Sequence, residues 1–210
     1  MPGLTADHLV YVTSDVDRTT EQLAELLGVR PAGGGSHVGR GTRNTLLSLG
    51  DDVYLEVLGP DPTQDVKQPG SRFPSTPLLR TWSVKAPDID ATVVTARNLG
   101  VDPGPVQSMS RVRPDGHLLE WRLTAGGGGG LGTDGSVALI PFLIDWGQSE
   151  HPALSAPVGC TLSGLRAEHP NPGDARAQLE ALGVDLEVAL GTQPVLVATI
   201  DTPSGQIELR

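Results

Sequence analysis

The sequence predicts an α+β protein assembled from repeated β-α-β-β(-β) units. Three observations carry this reading. The tripeptide Leu-Gly-Val recurs at 27–29, 99–101 and 182–184, and internal repetition of this kind marks a repeated structural unit. Each copy closes a helix-like segment of 16 residues. Each segment also follows a short apolar run and precedes a turn and a hairpin, so helical and strand periods alternate in the same order three times.

The first helical segment, 14–29, starts with Ser14 three residues before Asp17, places Val16, Leu23 and Leu27 on one side, and stops at Gly28. The second, 86–101, puts Ile89, Val93, Ala96 and Leu99 on one stripe behind Pro87 and Asp88. The third, 169–184, offers Asn171 as a cap, Pro172 in the first turn, and Ala175, Leu179 and Leu182 facing inward. The preceding runs at 8–13, 81–86 and 160–168 have the length and β-branched content of strands. The following segments, 45–58, 110–123 and 197–210, read as hairpins turning at Gly50-Asp51-Asp52, Pro114-Asp115-Gly116 and Pro203-Ser204-Gly205.

Two regions fall outside the repeat. The polar, Pro-rich stretch 61–77 reads as a linker, and 126–130 with the apolar strand 137–146 reads as an inserted hairpin. The organisation is then a first module at 1–60, a linker at 61–77, a second module with an inserted strand at 78–147, and a third module at 148–210, all packed as one domain. Gly127, Gly129 and Gly132 have the spacing of a dinucleotide-binding loop. A turn and a strand follow them where that motif needs a helix, so they read as a loop.

Composition narrows the function classes. The chain has 210 residues and a formal charge of −10, enough for one domain or two small fused ones. Its basic residues are scattered, which argues against nucleic acid or an anionic membrane as a partner. The longest apolar stretch, Val137 to Ile144, is too short to span a bilayer, and the start MPGLTADH has neither the basic nor the apolar region of a secretory leader. A cytoplasmic location is expected. Cys160 is the only cysteine, which excludes an intrachain disulfide and a multi-Cys zinc site.

Counting back equally from Gly28, Gly100 and Gly183 aligns His8 with Arg80 and Ser163, each at the start of its first strand. Aligning the hairpins matches Glu56, Glu120 and Glu208. Glu56 shares a strand face with Tyr54 and Leu58, so it is an acid embedded in an apolar surface; His8 similarly shares its face with Val10 and Val12. A buried carboxylate needs a partner or a metal. Two readings stand, a structural hydrogen-bonded pair or a metal site of nitrogen and oxygen ligands, and the repetition favours metal. Glu208 lies on a polar face with Gln206 and Arg210, which suits a solvated position. Glu120 lies between Leu118 and Arg122. His37 suits a loop residue with no role, while Thr42, Arg43 and Asn44 beside it are polar where a strand begins, and a planar guanidinium there could hold a carboxylate or phosphate. Trp82, Trp121 and Trp146 read as core or cavity wall.

Repeated β-α-β-β-β units with a strand-start His and a strand-end Glu resemble the vicinal-oxygen-chelate superfamily of glyoxalases, extradiol dioxygenases and resistance proteins. DHLVYVTSDVD at 7–17 and TPSGQIEL at 202–209 resemble its first and last strands. The run 33–62, LIPFLIDW at 139–146 and His151-Pro152 look like its glyoxalase-like subfamily. The resemblance implies a cupped, mostly antiparallel sheet with helices outside, in which two units share a divalent metal. By position it implies His8, Glu56 and either Glu120 or Glu208 as ligands for Zn, Ni, Mn or Fe. Arg80 and Ser163 depart from the pattern, being poor ligands. A small-molecule substrate bound by His37, Thr42, Arg43, Asn44, Arg80 and Trp82 is expected, with a homodimer left open. The implied activity is that of a metal-dependent lyase, isomerase or dioxygenase; the rival is a non-catalytic binding or sequestering protein without metal.

Overall fold

The computed structural model describes residues 3–50, 52–66, 72–112, 116, 118–125 and 135–210. The glycine run at 126–134 and most of the turn at 113–117 lie outside the described residues. The first unit comprises β1 (Ala6–Val12), α1 (Val16–Leu27), β2 (Ala32–His37), β3 (Thr42–Ser48) and β4 (Tyr54–Pro60). The second comprises β5 (Leu78–Lys85), α2 (Ile89–Asn98), β6 (Val106–Val112), β7 (Leu118–Thr124) and β8 (Phe142–Asp145). The third comprises β9 (Thr161–His169), α3 (Pro172–Ala181), β10 (Glu187–Leu190), β11 (Val195–Thr202) and β12 (Gly205–Leu209).

Local chemistry sets the helix ends. The Asp15 carboxylate accepts the Arg18 N–H at 3.1 Å and caps α1, one residue later than the Ser14 expected from the sequence. Gly28 ends α1 with φ 69°, a conformation that only glycine adopts without strain. Asp88 caps α2 in the same way, through the Ala91 N–H. The buried stripe of α1, Val16, Leu23 and Leu27, covers the back of the sheet, and each such side chain contributes about 2 kcal/mol by burial.

The first two units form one eight-stranded sheet of order β2-β3-β4-β1-β5-β8-β7-β6. The two halves are mirrored across the antiparallel β1–β5 pair, so β5 takes the place of β1, and β8 the place of β4. The apolar strand read from the sequence as an insertion is therefore the closing strand of the second unit. Its pairing spans only Ser83↔Phe142 to Lys85↔Ile144.

The third unit repeats the element order but not the sheet. Its order is β10-β9-β11-β12, with β9 flanked on both sides by its own strands. That arrangement leaves its first strand no free edge of the kind through which β1 meets β5, so the second unit completes the cup. The third unit packs behind the large sheet, tied by Leu162 N–H to Leu49 O and Leu79 N–H to Arg210 O, both 2.9 Å. Leu9, Leu55 and Val57 of the first unit share one core with Val84 and Val93 of the second and Leu179 and Leu196 of the third. Among the described residues, no helix is long and apolar enough to cross a membrane.

Candidate active site

Alternation along the strands separates that core from a cavity on the concave face. The cavity has a volume of about 490 Å³, and His8, Val10, Tyr54, Glu56, Leu58 and Asn44 all line it. His8 is only 4% and Glu56 only 8% exposed, so both depend on partners to offset the cost of burial.

His8 is fixed by a bulge. Ala6 pairs with Val84 and His8 with Ser83, leaving Asp7 as the extra residue on β1, and a bulge re-aims the side chains around it. Asp7 Oδ1 lies 2.7 Å from His8 Nδ1, and the Ser83 hydroxyl lies 2.7 Å from the same nitrogen. The other Asp7 oxygen receives the Trp146 indole N–H at 3.1 Å and stands 3.1 Å from His151 Nε2. Burial alone would raise the Asp7 pKa, but the hydrogen bonds from His151 and His8 prevail and hold the carboxyl well below the usual range. An ionised Asp7 places the proton of His8 on Nδ1 and turns Nε2 to the cavity. The imidazole stacks on Tyr54 at 4.6 Å and meets the edge of Phe142 at 5.3 Å. Burial, and then the Asp7 and Glu56 charges, push the Tyr54 phenol well above its usual value, so it stays protonated.

Glu56 faces His8 across the floor of the cup, with Oε2 4.0 Å from His8 Nε2. Its Oε1 accepts the Asn44 amide N–H at 2.5 Å. The Asn44 oxygen in turn accepts Gly35 N–H at 3.0 Å and Arg111 NH1 at 3.2 Å. This fixes the amide orientation. Asn44 Nδ2 also lies 3.4 Å from His37 Nε2, and His37 Nδ1 lies 2.9 Å from the Thr42 hydroxyl. Burial, opposed by the Glu56 charge, lowers the His37 pKa.

The pairing register shows what stands opposite this pair in the second half. Val10 pairs with Thr81 and His8 with Ser83, so reflection across the β1–β5 axis puts Thr81 in the place of His8. Val10 pairs with Glu56 and Ser83 with Phe142, so Phe142 holds the place of Glu56. Both line the cavity. A four-ligand divalent centre shared by two units is thus reduced to His8 and Glu56, opposite a hydroxyl and a phenyl ring. That donor set does not fit the metal that the sequence resemblance implied, and among the described residues no group of three or more His, Cys, Asp or Glu is arranged to hold a metal ion.

The other candidates from the sequence divide sharply. His37, Thr42 and Asn44 line the cavity. Arg43 points away and makes a two-pronged pair with Asp17, at 3.0 and 2.8 Å. Arg80 and Trp82 are 1% and 2% exposed on the opposite face of β5 from Thr81, and the Trp82 indole donates to Leu139 O at 2.8 Å within the main core. Glu120 lies outside the cup beside Trp146 and Ser149. Glu208 belongs to the separate sheet, where Arg166 and Arg210 engage it at 3.0 and 3.2 Å and lower its pKa. Asp7, Ser83, Thr81, Arg40, Arg72, Arg111, Phe142 and His151 were given no site role from the sequence. A signal existed for Thr81: counting back equally from the capping aspartates, Asp15 and Asp88, aligns it with His8.

A family described as a glyoxalase-like domain matches residues 6–183. No curated protein matches the chain at a significant level. Among solved structures, a hypothetical protein from Staphylococcus aureus is 14% identical with a TM-score of 0.62, covering 98% of this chain and 84% of its own. A mutant 4-hydroxymandelate synthase from Streptomyces coelicolor is 17% identical with a TM-score of 0.49, covering 100% of this chain and 63% of that one. Methylmalonyl-CoA epimerase from Mycobacterium tuberculosis is 17% identical with a TM-score of 0.41, covering 72% of this chain and 91% of that one.

Proposed function

The chain belongs to the glyoxalase-like domain family, and from that premise we propose that its cavity binds a small carbonyl compound and moves a proton on it, as an isomerase or lyase does. One observation carries the reading: a carboxylate and an oriented imidazole face each other at 4.0 Å on the floor of the cavity. Glu56, steadied by Asn44, removes the proton from a carbon next to a carbonyl; the C–H electron pair forms the carbon–carbon double bond of an enolate and the carbonyl π pair moves onto oxygen. The proton returns to that carbon from the Glu56 carboxyl, or passes from it to His8 Nε2, the unprotonated nitrogen 4.0 Å away, and returns from there. Asp7 keeps Nδ1 occupied so that only Nε2 serves the substrate. The proposed chemistry uses these side chains alone, because the donor set falls short of the expected metal centre.

The test follows the proton. The protein is incubated in D2O with pyruvate, 2-oxobutyrate and phenylpyruvate, and loss of the signal from the proton next to the carbonyl is read by NMR. Exchange above the buffer rate is expected, abolished by Glu56→Gln and lowered about a hundredfold by His8→Gln. The rival reading, a non-catalytic binding protein, draws support from Thr81 and Phe142 standing where ligands would be. Binding of these acids without exchange would establish it.

A further inference from the structure

The far side of the cavity from His8 carries positive charge. Arg40, Arg72 and Arg111 all line it, and among the described lining residues Glu56 is the only carboxylate. This is a local reversal in a chain whose formal charge is −10. The three guanidiniums come from separate elements: Arg40 from the loop between β2 and β3, Arg72 from the segment before β5, and Arg111 from β6. Arg40 reaches across the cup so that NH2 lies 2.9 Å from Met109 Sδ, two residues from Arg111 on the same strand face. Arg111, only 5% exposed, is held against Asn44. Burial, and then the neighbouring charge of Arg40, pull the Arg72 pKa down.

The Arg40 loop is braced. Gln64 Oε1 accepts the Gly39 N–H at 2.9 Å while its amide donates to His37 O at 3.2 Å, and Asp61 holds that same amide at 2.8 Å. A cation on a braced loop loses little freedom on meeting a ligand. The remaining wall is apolar and aromatic: Leu58, Trp121, Leu123, Phe142, Ile144 and Trp146.

The geometry points to an amphipathic organic anion as the ligand, its carboxylate or phosphate head on Arg40, Arg72 and Arg111 and its ring or branched body against Trp121 and Phe142. Guanidiniums pair with both head groups through two parallel bonds, and a cavity of about 490 Å³ is of the size that encloses such a molecule. The inference rests on the reading that the cavity is the substrate site and adds the substrate class. Asn44 bridges Arg111 and Glu56, so a head on Arg111 brings the carbon beside it toward the proposed base.

Calorimetry and protein-observed NMR test it with 3-phenylpropionate, phenyl phosphate, the neutral 3-phenylpropanol, and propionate. The two aromatic anions are expected to bind, with the alcohol and propionate each about tenfold weaker or worse. Arg40→Gln and Arg72→Gln should each weaken the aromatic anions about tenfold and leave the alcohol unchanged. Whichever anion binds tighter names the head group. Equal binding of acid and alcohol, unchanged binding in the Arg40→Gln/Arg72→Gln double variant, or no binding of either aromatic anion overturns the inference. Thermal melts of the variants separate lost binding from lost folding. The same titrations on Glu56→Gln should keep anion binding, so failure of the proton-transfer reading shows as absent exchange with binding intact.

Discussion

Asp7 Oδ2 and His151 Nε2 stand 3.1 Å apart although 144 residues separate them in the chain. The contact joins the bulge of β1 to the turn that leads into the third unit, and the same carboxylate anchors the His8 imidazole. The orientation of the proposed catalytic imidazole is therefore set partly by a segment outside the cup.

This makes Asp7 a source of acid sensitivity. Its folded pKa is depressed, so its stabilisation is fully present above the unfolded carboxylate value of about 4 and is lost as pH falls below it. We expect Asp7→Asn to lower stability at neutral pH by about 3 kcal/mol and to flatten the stability profile below about pH 4. Urea unfolding at a series of pH values checks both. A variant curve parallel to the wild type would refute the assignment.

His37 gives a second slope at milder pH. Its pKa is lowered by burial, so it is neutral in the fold where the unfolded chain already takes up a proton. The associated stability is present above about pH 6.5 and declines as pH falls below that. The difference between wild type and His37→Gln in the same titration should appear in that window and vanish above it.

Two adjacent glycines separate backbone strain from site geometry. Gly33 and Gly34 have φ of 68° and 76°, but a Cβ at Gly33 meets nothing within 4 Å, whereas one at Gly34 overlaps the Asn44 main-chain and side-chain oxygens. Gly33→Ala should cost about 1 kcal/mol and spare proton exchange. Gly34→Ala should cost more, about 2 to 3 kcal/mol, and also abolish exchange by displacing Asn44 from Glu56. Equal effects on exchange would remove Asn44 from the machinery.

Arg43→Ala should do little. Its pair with Asp17 is largely solvent-exposed, and such pairs contribute up to about 1 kcal/mol. Affinity for phenyl phosphate in the same calorimetric titration should be unchanged, in contrast to the arginines of the cavity.

Chelation probes the donor set directly. Dialysis against EDTA is expected to leave deuterium exchange unchanged. Loss of exchange that a divalent ion restores would return the metal reading to His8 and Glu56.

The amino-acid sequence by itself determined the repeated β-α-β element order, because helical and strand periods, capping aspartates and Leu-Gly-Val turns are local signals. It also placed His8 and Glu56 on the face they occupy, since alternation along a strand is a local property. The helix alignment counted from Gly28 and Gly100 misplaced their counterparts. From the capping aspartate to the glycine of Leu-Gly-Val the first unit advances 13 residues, Asp15 to Gly28, and the second 12, Asp88 to Gly100, and a slip of one residue moves a side chain to the other face of a strand. Arg80 took the place of Thr81 for that reason. Only the tertiary structure decided which unit completes the cup, that β8 closes it, and that Asp7, Arg111 and His151 meet the site. Sheet order and contacts between distant segments depend on which edges are free and which faces are buried, and neither is written in any single stretch of the chain.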